Sequence, residues 1–333
     1  MEQDNTIPES NSLFSSRIDL SELRNAVEQI KSELSKVIIG QTEMIDLIIA
    51  AILADGHVLI EGVPGVAKTL TSKLVAKTID ADFNRIQFTP DLMPSDVIGT
   101  TIFNQQSREF EFKKGAIFSN IVLIDEINRS PAKTQAALFE SMEERQVTVD
   151  GTSYPLDYPF LVVATQNPVE QEGTYRLPEA QLDRFMFKIV VEYPTLDQEI
   201  EILKGTHQHK NSNDSVHITS VLNKEALVKY RSEVQNIHIE EKLIHYIAKV
   251  VNDTRENSNL FLGASPRASI AILNGAKAFA AMRGRDFVSP EDIKQVAVPV
   301  LAHRIVITPE KEMEGVHTVQ VIKEIVQEIE IPR

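Results

Sequence analysis

Two hydrophobic patterns divide the chain. In its first part, five short apolar runs alternate with amphipathic stretches; the runs are HVLIE, FNRIQF, IVLID, FLVVATQ and FMFKIVV. Short apolar runs with polar borders predict buried strands, and helical periodicity at 68–79 and 131–144 fills two of the intervals. This alternation predicts βαβ units, and hence a three-layer αβα body around a five-stranded parallel sheet.

The strand pattern ends near residue 194, and helical spacing takes over. Apolar positions at this spacing predict helices at 196–206, 223–232, 239–255, 267–283, 290–302 and 317–329. The prediction is therefore a polar, flexible N-terminus at 1–18, an α/β domain at 19–194 and an all-helical domain at 195–333.

Two segments interrupt the alternation in the α/β part. Residues 101–112 and 146–156 each alternate apolar and polar residues around a turn, and Asp150-Gly151 is a strong hairpin dipeptide. Both segments are predicted to be exposed hairpins.

Composition and charge limit the class of protein. The 333 residues are 42% hydrophobic and 25% charged, which is typical of a globular protein. No apolar run approaches the ~20 residues that span a bilayer, the N-terminal residues are polar and acidic, and cysteine is absent, so we expect a cytoplasmic protein. A net charge of −14 disfavours broad nucleic-acid binding and favours protein partners.

The stretch GVPGVAKTL at 62–70 carries the first chemical signal. It fits the phosphate-binding pattern G-x-x-x-x-G-K-[ST], except that Ala67 takes the second glycine position. A strand, a tight turn and a helix start would aim backbone N–H groups at a phosphate, with Lys68 at the β/γ-phosphates and Thr69 on Mg²⁺. An ordinary strand-to-helix turn is the alternative, but a lysine there is disfavoured without an anion. The candidate ATP-binding residues are Gly62, Val63, Pro64, Gly65, Val66, Ala67, Lys68, Thr69 and Leu70.

Polar residues end two further strands. Asp125 and Glu126 follow IVLI, where Asp125 can orient the water shell of Mg²⁺ and Glu126 can polarise an attacking water. Asn167 follows FLVVATQ, and its amide could hold that water, although Asn before Pro is also a common turn former. These residues predict phosphoryl transfer to water.

These motifs resemble those of AAA+ ATPases over about residues 20–305. EGVPGVAKT, DEINR, ALFESMEERQVT and ATQNPVEQEGTYRLPEAQLDRF resemble the MoxR group, which also carries Ala at the position of Ala67. A methyl group is tolerated at Ala67 if the backbone there is right-handed helical. The resemblance implies that the all-helical domain is a lid.

The resemblance also implies roles for single residues. Arg184 in LDRF matches the arginine finger that reaches a neighbouring subunit's ATP, and Arg267 in SPRA matches the lid arginine that approaches the phosphate of its own subunit. Either could instead form an ordinary salt bridge, and Arg129 could face the subunit boundary or be structural. Ile38, Ile39 and Gly40 match the adenine-pocket segment, with helix-end packing as the alternative.

The two hairpins match inserts of a clade that includes magnesium-chelatase ATPase subunits and replicative helicases. Such inserts face a central pore, where four side chains could contact a client; these are Phe110, Phe112, Lys113 and Lys114. The alternative is a solvated hairpin whose aromatic residues pack on its own helix.

For the whole protein the resemblance implies a homo-oligomeric ring, with six subunits expected, that binds ATP, ADP and Mg²⁺. Its lid would rotate as ATP becomes ADP, because Arg267 and the loop lose a shared phosphate contact. The work would be chaperone-like remodelling or metal-cofactor assembly of client proteins, often through a von Willebrand A domain. A chelatase-like motor subunit, a nucleic-acid-stimulated motor and a non-hydrolysing scaffold are the alternatives.

Overall fold

The structure, a computed structural model, describes residues 18–167, 175, 177–209 and 218–331. The N-terminal segment up to residue 17 and residues 168–174 of the family motif lie outside the described residues. Two helices, α1 (Ser21–Ser35) and α2 (Thr42–Leu53), precede the α/β body. The body consists of β1 (Val58–Gly62), α3 (Lys68–Thr78), β2 (Phe83–Gln87), α4 (Pro94–Ile98), β3 (Gly99–Asn104), β4 (Glu109–Lys114), β5 (Ile121–Asp125), α5 (Ala132–Glu144), β6 (Gln146–Val149), β7 (Thr152–Pro155), β8 (Leu161–Gln166), α6 (Glu179–Leu182) and β9 (Phe187–Val191).

Helices dominate the remainder. They are α7 (Leu196–His209), α8 (Lys224–Gln235), α9 (Glu241–Glu256), α10 (Pro266–Met282), α11 (Pro290–Leu301), α12 (Pro309–Met313) and α13 (Thr318–Glu328), with the short strands β10 (Leu260–Leu262) and β11 (Val306–Ile307) between them. The two short strands were not predicted, because two or three residues show no readable alternation. No helix in the described ranges is long and apolar enough to cross a bilayer.

The five predicted strands form one sheet in the order β2-β5-β8-β1-β9, with all the pairings parallel. Alternate residues of β5 face opposite layers: Ile121 and Leu123 join one hydrophobic cluster, and Val122 and Ile124 join the other. Burial on both faces explains the continuous apolar runs. The prediction of a parallel sheet between helical layers is confirmed.

Parallel strands give the sheet two chemically different edges. The carboxyl edge, where the strands end, carries Gly62, Asp125 and Gln166. The amino edge, where they begin, lies next to His57 and Phe185, because Val58 of β1 pairs with Phe187 of β9. A residue that follows a strand by one or two positions therefore lies at the carboxyl edge, and a residue that precedes a strand by one or two positions lies at the amino edge.

The helical region and the α/β body share one core. Buried residues of α1, α2, β1, β9 and helices α8 to α11 and α13 belong to a single hydrophobic cluster. Helix α10 packs on α2 and α1, and α11 packs on β9. The lid region is therefore joined to the body by continuous packing.

Both predicted hairpins are present, β3–β4 and β6–β7. Asp150 and Gly151 have φ of +51° and +78°, as a two-residue hairpin turn requires. The hairpins contact each other, since Phe112 stacks on Tyr154 with ring centroids 4.2 Å apart. Packing therefore accounts for Phe112, and Lys114 lies over the Phe118 ring. Phe110 is 76% exposed and Lys113 is also exposed, so a role at a client surface stays a prediction for these two.

Candidate functional site

The phosphate loop joins β1 to α3 at the carboxyl edge. Gly62 is the last residue of β1, and a Cβ built on it would lie 2.7 Å from the carbonyl oxygen of Val191, so glycine is needed. Gly65 has φ +87°, and the space beside it is open. Ala67 has φ +61° and ψ 19°, so its backbone is left-handed and the condition of right-handed helical backbone is not met. Left-handed backbone costs an alanine about 1 kcal/mol, and strain of this kind concentrates at ligand-binding loops.

Unpaired donors converge at the start of α3. The first N–H groups of a helix have no intrahelical acceptor. Thr71 N–H donates to the carbonyl of Ala67 at 2.9 Å, whereas the amides of Lys68, Thr69 and Leu70 have no acceptor among the described residues. These donors and the partial positive charge of the helix start suit a phosphate group.

Lys68 lies among carboxylates. Its ammonium donates to the carbonyl of Gly62 at 2.6 Å. Burial lowers the pKa of Lys68, while Asp125, Glu126 and Glu61 act to raise it. The structure therefore brings Lys68 together with both predicted acids, as the candidate site requires.

Asp125 is held by residues of two neighbouring strands. Its Oδ1 accepts from the Thr165 hydroxyl at 2.6 Å, and its Oδ2 accepts from Arg85 at 2.6 Å. The Thr165 hydroxyl also accepts from Glu126 N–H at 3.0 Å. One buried threonine thus sets the positions of both acids. Asp125 and Thr69 present carboxylate and hydroxyl oxygens, the ligand types that Mg²⁺ prefers.

The Glu126 carboxylate has side-chain partners of its own. It accepts from the Gln87 amide at 2.9 Å and pairs with Arg129 at 3.1 Å. Arg129 therefore interacts with Glu126 within its own chain, which favours the structural role for it. Sequence reasoning missed Arg85, Gln87 and Thr165, because their roles depend on strand pairing that no local motif encodes.

Asn167 follows β8, which lies between β5 and β1 in the sheet. Asn167 is buried, with 8% of its surface exposed. Because it follows β8, it lies between the strand ends that carry Asp125 and Gly62. Its action on a water molecule stays a prediction.

The predicted adenine segment divides into two parts. Ile38 is 5% exposed and belongs to the core, so helix-end packing explains it, and it offers little surface to a base. Ile39 is partly exposed, and Gly40 lies under the Gln198 side chain. Its core position favours helix-end packing for Ile38, and the adenine-pocket role stays a prediction for Ile39 and Gly40.

Arg184 lies at the amino edge, away from the loop of its own chain. It precedes β9, and nearby Met186 donates to the carbonyl of His57 at 2.7 Å. One strand length, about 13 Å at ~3.3 Å per residue, separates this edge from Gly62. Its guanidinium donates to Glu143 at 3.0 Å and to the Phe139 carbonyl at 3.1 Å.

Arg267 lies beside Arg184. It donates to the second oxygen of Glu143 at 2.8 Å and lies 3.9 Å from Asp183. The expectation that Arg267 approaches the phosphate of its own subunit was therefore wrong: the lid packs at the amino edge. Without that contact, the predicted cause of lid rotation is absent.

Arg304 anchors the lid to the body at the same edge. It is 7% exposed and donates to Asp183 Oδ1 at 2.8 Å and to the carbonyls of Phe185 and Met186 at 2.6 and 3.1 Å. Asp183 also accepts from the hydroxyl of Ser265, the N-cap of α10. These contacts and the shared core oppose the predicted rotation of the lid against the body.

Comparison with known proteins agrees with this geometry. Residues 57–187 match the ATPase family associated with various cellular activities (AAA), and residues 252–325 match the AAA lid domain. The chain is 40% identical to the chaperone MoxR1 of Mycobacterium tuberculosis, over 93% of this chain and 83% of that protein. The chain belongs to the MoxR family of AAA ATPases.

Two further relatives extend over nearly the whole MoxR-family chain. The protein YeaC of Bacillus subtilis is 46% identical, covering 93% of this chain and 95% of the relative. A protein of Cytophaga hutchinsonii, whose crystal structure is described as that of an ATPase by inference, is 48% identical in sequence. The two structures superpose with a TM-score of 0.86 over 94% of this chain and 97% of that chain. The fold and the lid are thus those of the MoxR family.

A cavity in the lid lies apart from the residues discussed above. It has a volume of about 570 Å³ and is lined by residues that include Phe261, Pro309 and His317. None of its lining residues belongs to the phosphate loop or to the acidic pair, so cavity size does not locate the candidate site of this MoxR-family protein.

Proposed function

We propose that this MoxR-family protein binds ATP with Mg²⁺ at the carboxyl edge and hydrolyses it with arginines from a neighbouring copy. In this proposal Lys68 and the loop amides bind the phosphates, Thr69 and Asp125 hold the metal, and Glu126 activates water. The observation that carries it is the convergence of unpaired amides, Lys68 and two fixed carboxylates at one edge.

The residues act on different parts of the reaction. The N–H groups at the start of α3 and Lys68 neutralise the phosphate oxygens, where negative charge collects in the transition state. Bound Mg²⁺ would supply further charge neutralisation between the β- and γ-phosphates. Glu126 accepts the proton of the attacking water, and Asn167 orients that water.

One oxygen of the Glu126 carboxylate has partners in its own chain. Gln87 and Arg129 both contact Oε2. Neither contact involves the other oxygen, Oε1. In this proposal Oε1 accepts the proton of the attacking water.

The position of Arg184 supports a ring. An arginine at the amino edge cannot reach the carboxyl edge of its own chain, but a head-to-tail contact brings it to that of a neighbour. Repetition of one such contact closes a ring, and we propose six copies. Because Arg267 lies beside Arg184, we also assign Arg267 to the neighbour's phosphate.

We propose that the ring remodels client proteins or assembles their metal cofactors. Support comes from MoxR1, which is named a chaperone, and from the exposed ring of Phe110 on the first hairpin. A client or adaptor with a von Willebrand A domain remains part of this proposal.

Two substitutions test the reaction. Glu126→Gln should retain ATP binding and lose turnover, because it removes the base and keeps the shape, whereas Lys68→Ala should lose both. Binding is measured with a fluorescent ATP analogue and turnover by phosphate release. Lys73→Ala, an exposed lysine on the same helix, is the matched control. Wild-type turnover in Glu126→Gln would refute the proposed base.

The ATP-bound Glu126→Gln protein also tests the client. Partners trapped on it and released by ADP should be proteins. Recovery of DNA alone, with DNA-stimulated turnover, would instead support a nucleic-acid motor, and recovery of a tetrapyrrole-binding subunit would support a chelatase-like motor.

A further inference from the structure

One carboxylate joins arginines from two parts of the molecule. Glu143, in the last turn of α5, accepts from Arg184 of the body through Oε2 and from Arg267 of the lid through Oε1, at 3.0 and 2.8 Å. A carboxylate can serve two donors in this way because it has two oxygens. The two guanidinium groups are therefore held side by side, although they are 83 positions apart (267 − 184) in the chain.

The charges of this cluster do not cancel. Among the described residues, three cations, Arg184, Arg267 and Arg304, share two anions, Glu143 and Asp183, which leaves one positive charge. Arg304 is buried, whereas the side chains of Arg184 and Arg267 are 28% and 46% exposed. The excess positive charge is thus accessible at Arg184 and Arg267, where a phosphate bound to a neighbouring copy can interact with it.

Glu143 has no equivalent on its own helix. The next residue, Glu144, is exposed and pairs with neither arginine. Without Glu143, Arg184 retains the Phe139 carbonyl and Arg267 retains Asp183 at 3.9 Å, but nothing bridges them. Two like charges without a shared carboxylate repel each other and move apart.

We infer that Glu143 is a positioning residue that holds Arg184 and Arg267 as one two-guanidinium unit for the ATP of a neighbouring copy. This inference rests on the proposed action of the arginines between copies. The unit needs a fixed spacing, because misplacement by about 1 Å costs about 10²-fold in rate.

Mixed oligomers separate the two sides of each site. A donor chain carries Lys68→Ala and keeps its arginines; an acceptor chain carries Arg184→Ala and keeps its phosphate loop. Each alone should be inactive, and mixing should restore ATP turnover. Glu143→Gln is then added to one chain at a time, with Glu144→Gln as the matched control.

Glu143→Gln on the donor chain should lower the restored kcat about tenfold, with KM for ATP unchanged, because the loop lies on the other chain. On the acceptor chain it should have no effect. The midpoint of thermal unfolding of Glu143→Gln should stay within about 2 °C of that of Glu144→Gln, since ion pairs near the surface contribute little to stability. In a Glu126→Gln background, ATP-driven association measured by light scattering should weaken several-fold with Glu143→Gln.

The remaining outcomes count against the inference. An equal loss on both chains means a structural role, and an unchanged or raised kcat on the donor means that Glu143 does not position the arginines. If the parental mixture regains no turnover, the proposed action between copies fails, and the inference fails with it. Recovery that is insensitive to Glu143 overturns the inference alone.

Discussion

The two edges of the central sheet differ in whether their positive groups already have partners within the chain. At the carboxyl edge, helix-start amides have no acceptors in the described part of the chain, and the Lys68 ammonium donates to the Gly62 carbonyl near Asp125 and Glu126. At the amino edge, Arg184, Arg267 and Arg304 are paired with carboxylates and carbonyls. The carboxyl edge presents unpaired amides to an anion. At the amino edge the three arginines already have partners, and only their excess positive charge remains for a ligand.

This contrast explains why one chain is incomplete for the proposed reaction. The groups that we propose to bind phosphate and the arginines that we propose to stabilise its transition state lie on opposite edges, about one strand length apart. The distance is fixed by the sheet, so only a second copy can close it. Changes at the two edges should therefore have separable effects.

The largest effect is expected for Arg184→Ala. It should lower kcat about 10³-fold or more and leave KM for ATP nearly unchanged, because an arginine supplied by another chain acts mainly on the transition state. Steady-state phosphate release measures both constants. Arg108→Ala, on the exposed β3–β4 turn, is the control. A rise in KM with kcat unchanged would place Arg184 in substrate binding.

A loss of stability is expected for Arg304→Met. Removal of the buried cation takes one donor from the Asp183 carboxylate and from each of four backbone carbonyls, and should cost about 3–5 kcal/mol in the free energy of unfolding. Urea denaturation followed by circular dichroism measures it. The control is Lys311→Met, which removes an exposed pair with Glu314 and should cost less than about 1 kcal/mol. Equal costs would show that Arg304 does not anchor the lid.

Acid should weaken the amino edge first. Burial lowers the pKa of His57 to about 3. The positive charge of Arg145 also lowers this pKa, whereas the hydrogen bond between His57 and the Met142 carbonyl raises it. Burial lowers the pKa of His303 as well. The folded pKa of His57 lies below the unfolded value near 6.5, so its contribution is complete above pH 6.5 and is lost as the pH falls toward 3. Between about pH 6.5 and 4.5 this amounts to roughly 2–3 kcal/mol.

Urea titrations at several pH values measure this loss. His57→Gln should be less stable at neutral pH, yet its stability should fall less on acidification than that of the wild type. Parallel pH profiles of the two proteins would contradict the assignment to His57.

The smallest effect is expected for Thr165→Val at the carboxyl edge. The change keeps the shape but removes the donor to Asp125 and the acceptor for Glu126 N–H, which should lower kcat about tenfold. Thr148→Val on exposed β6 is the control. An unchanged kcat would show that the acids hold their positions without the hydroxyl.

The sequence predicted the carboxyl edge better than the amino edge. Gly62, Lys68, Asp125 and Glu126 lie in local motifs next to strong strand signals, and local patterns survive folding. The partners of those acids, Arg85, Gln87 and Thr165, come from other strands, so only the sheet order reveals them.

The errors have a common physical origin. The location of Arg267 depends on how the lid packs, and the backbone at Ala67 depends on the closure of a tight loop; neither is encoded in residue spacing. For Ile38 the two interpretations were left open, because an apolar residue near a glycine gives the same pattern in a core as in a pocket. Glu143 lies in a quoted motif, but its partners are far away in the chain.

The unbroken core has a mechanical consequence. Because β1, β9 and the buried faces of α8 to α11 and α13 belong to one packed cluster, the body and the lid of one chain share a single core. Calorimetry should record one melting transition, despite the separate family matches of its two parts. In the proposed ring, the body and the lid of one chain are therefore expected to move together.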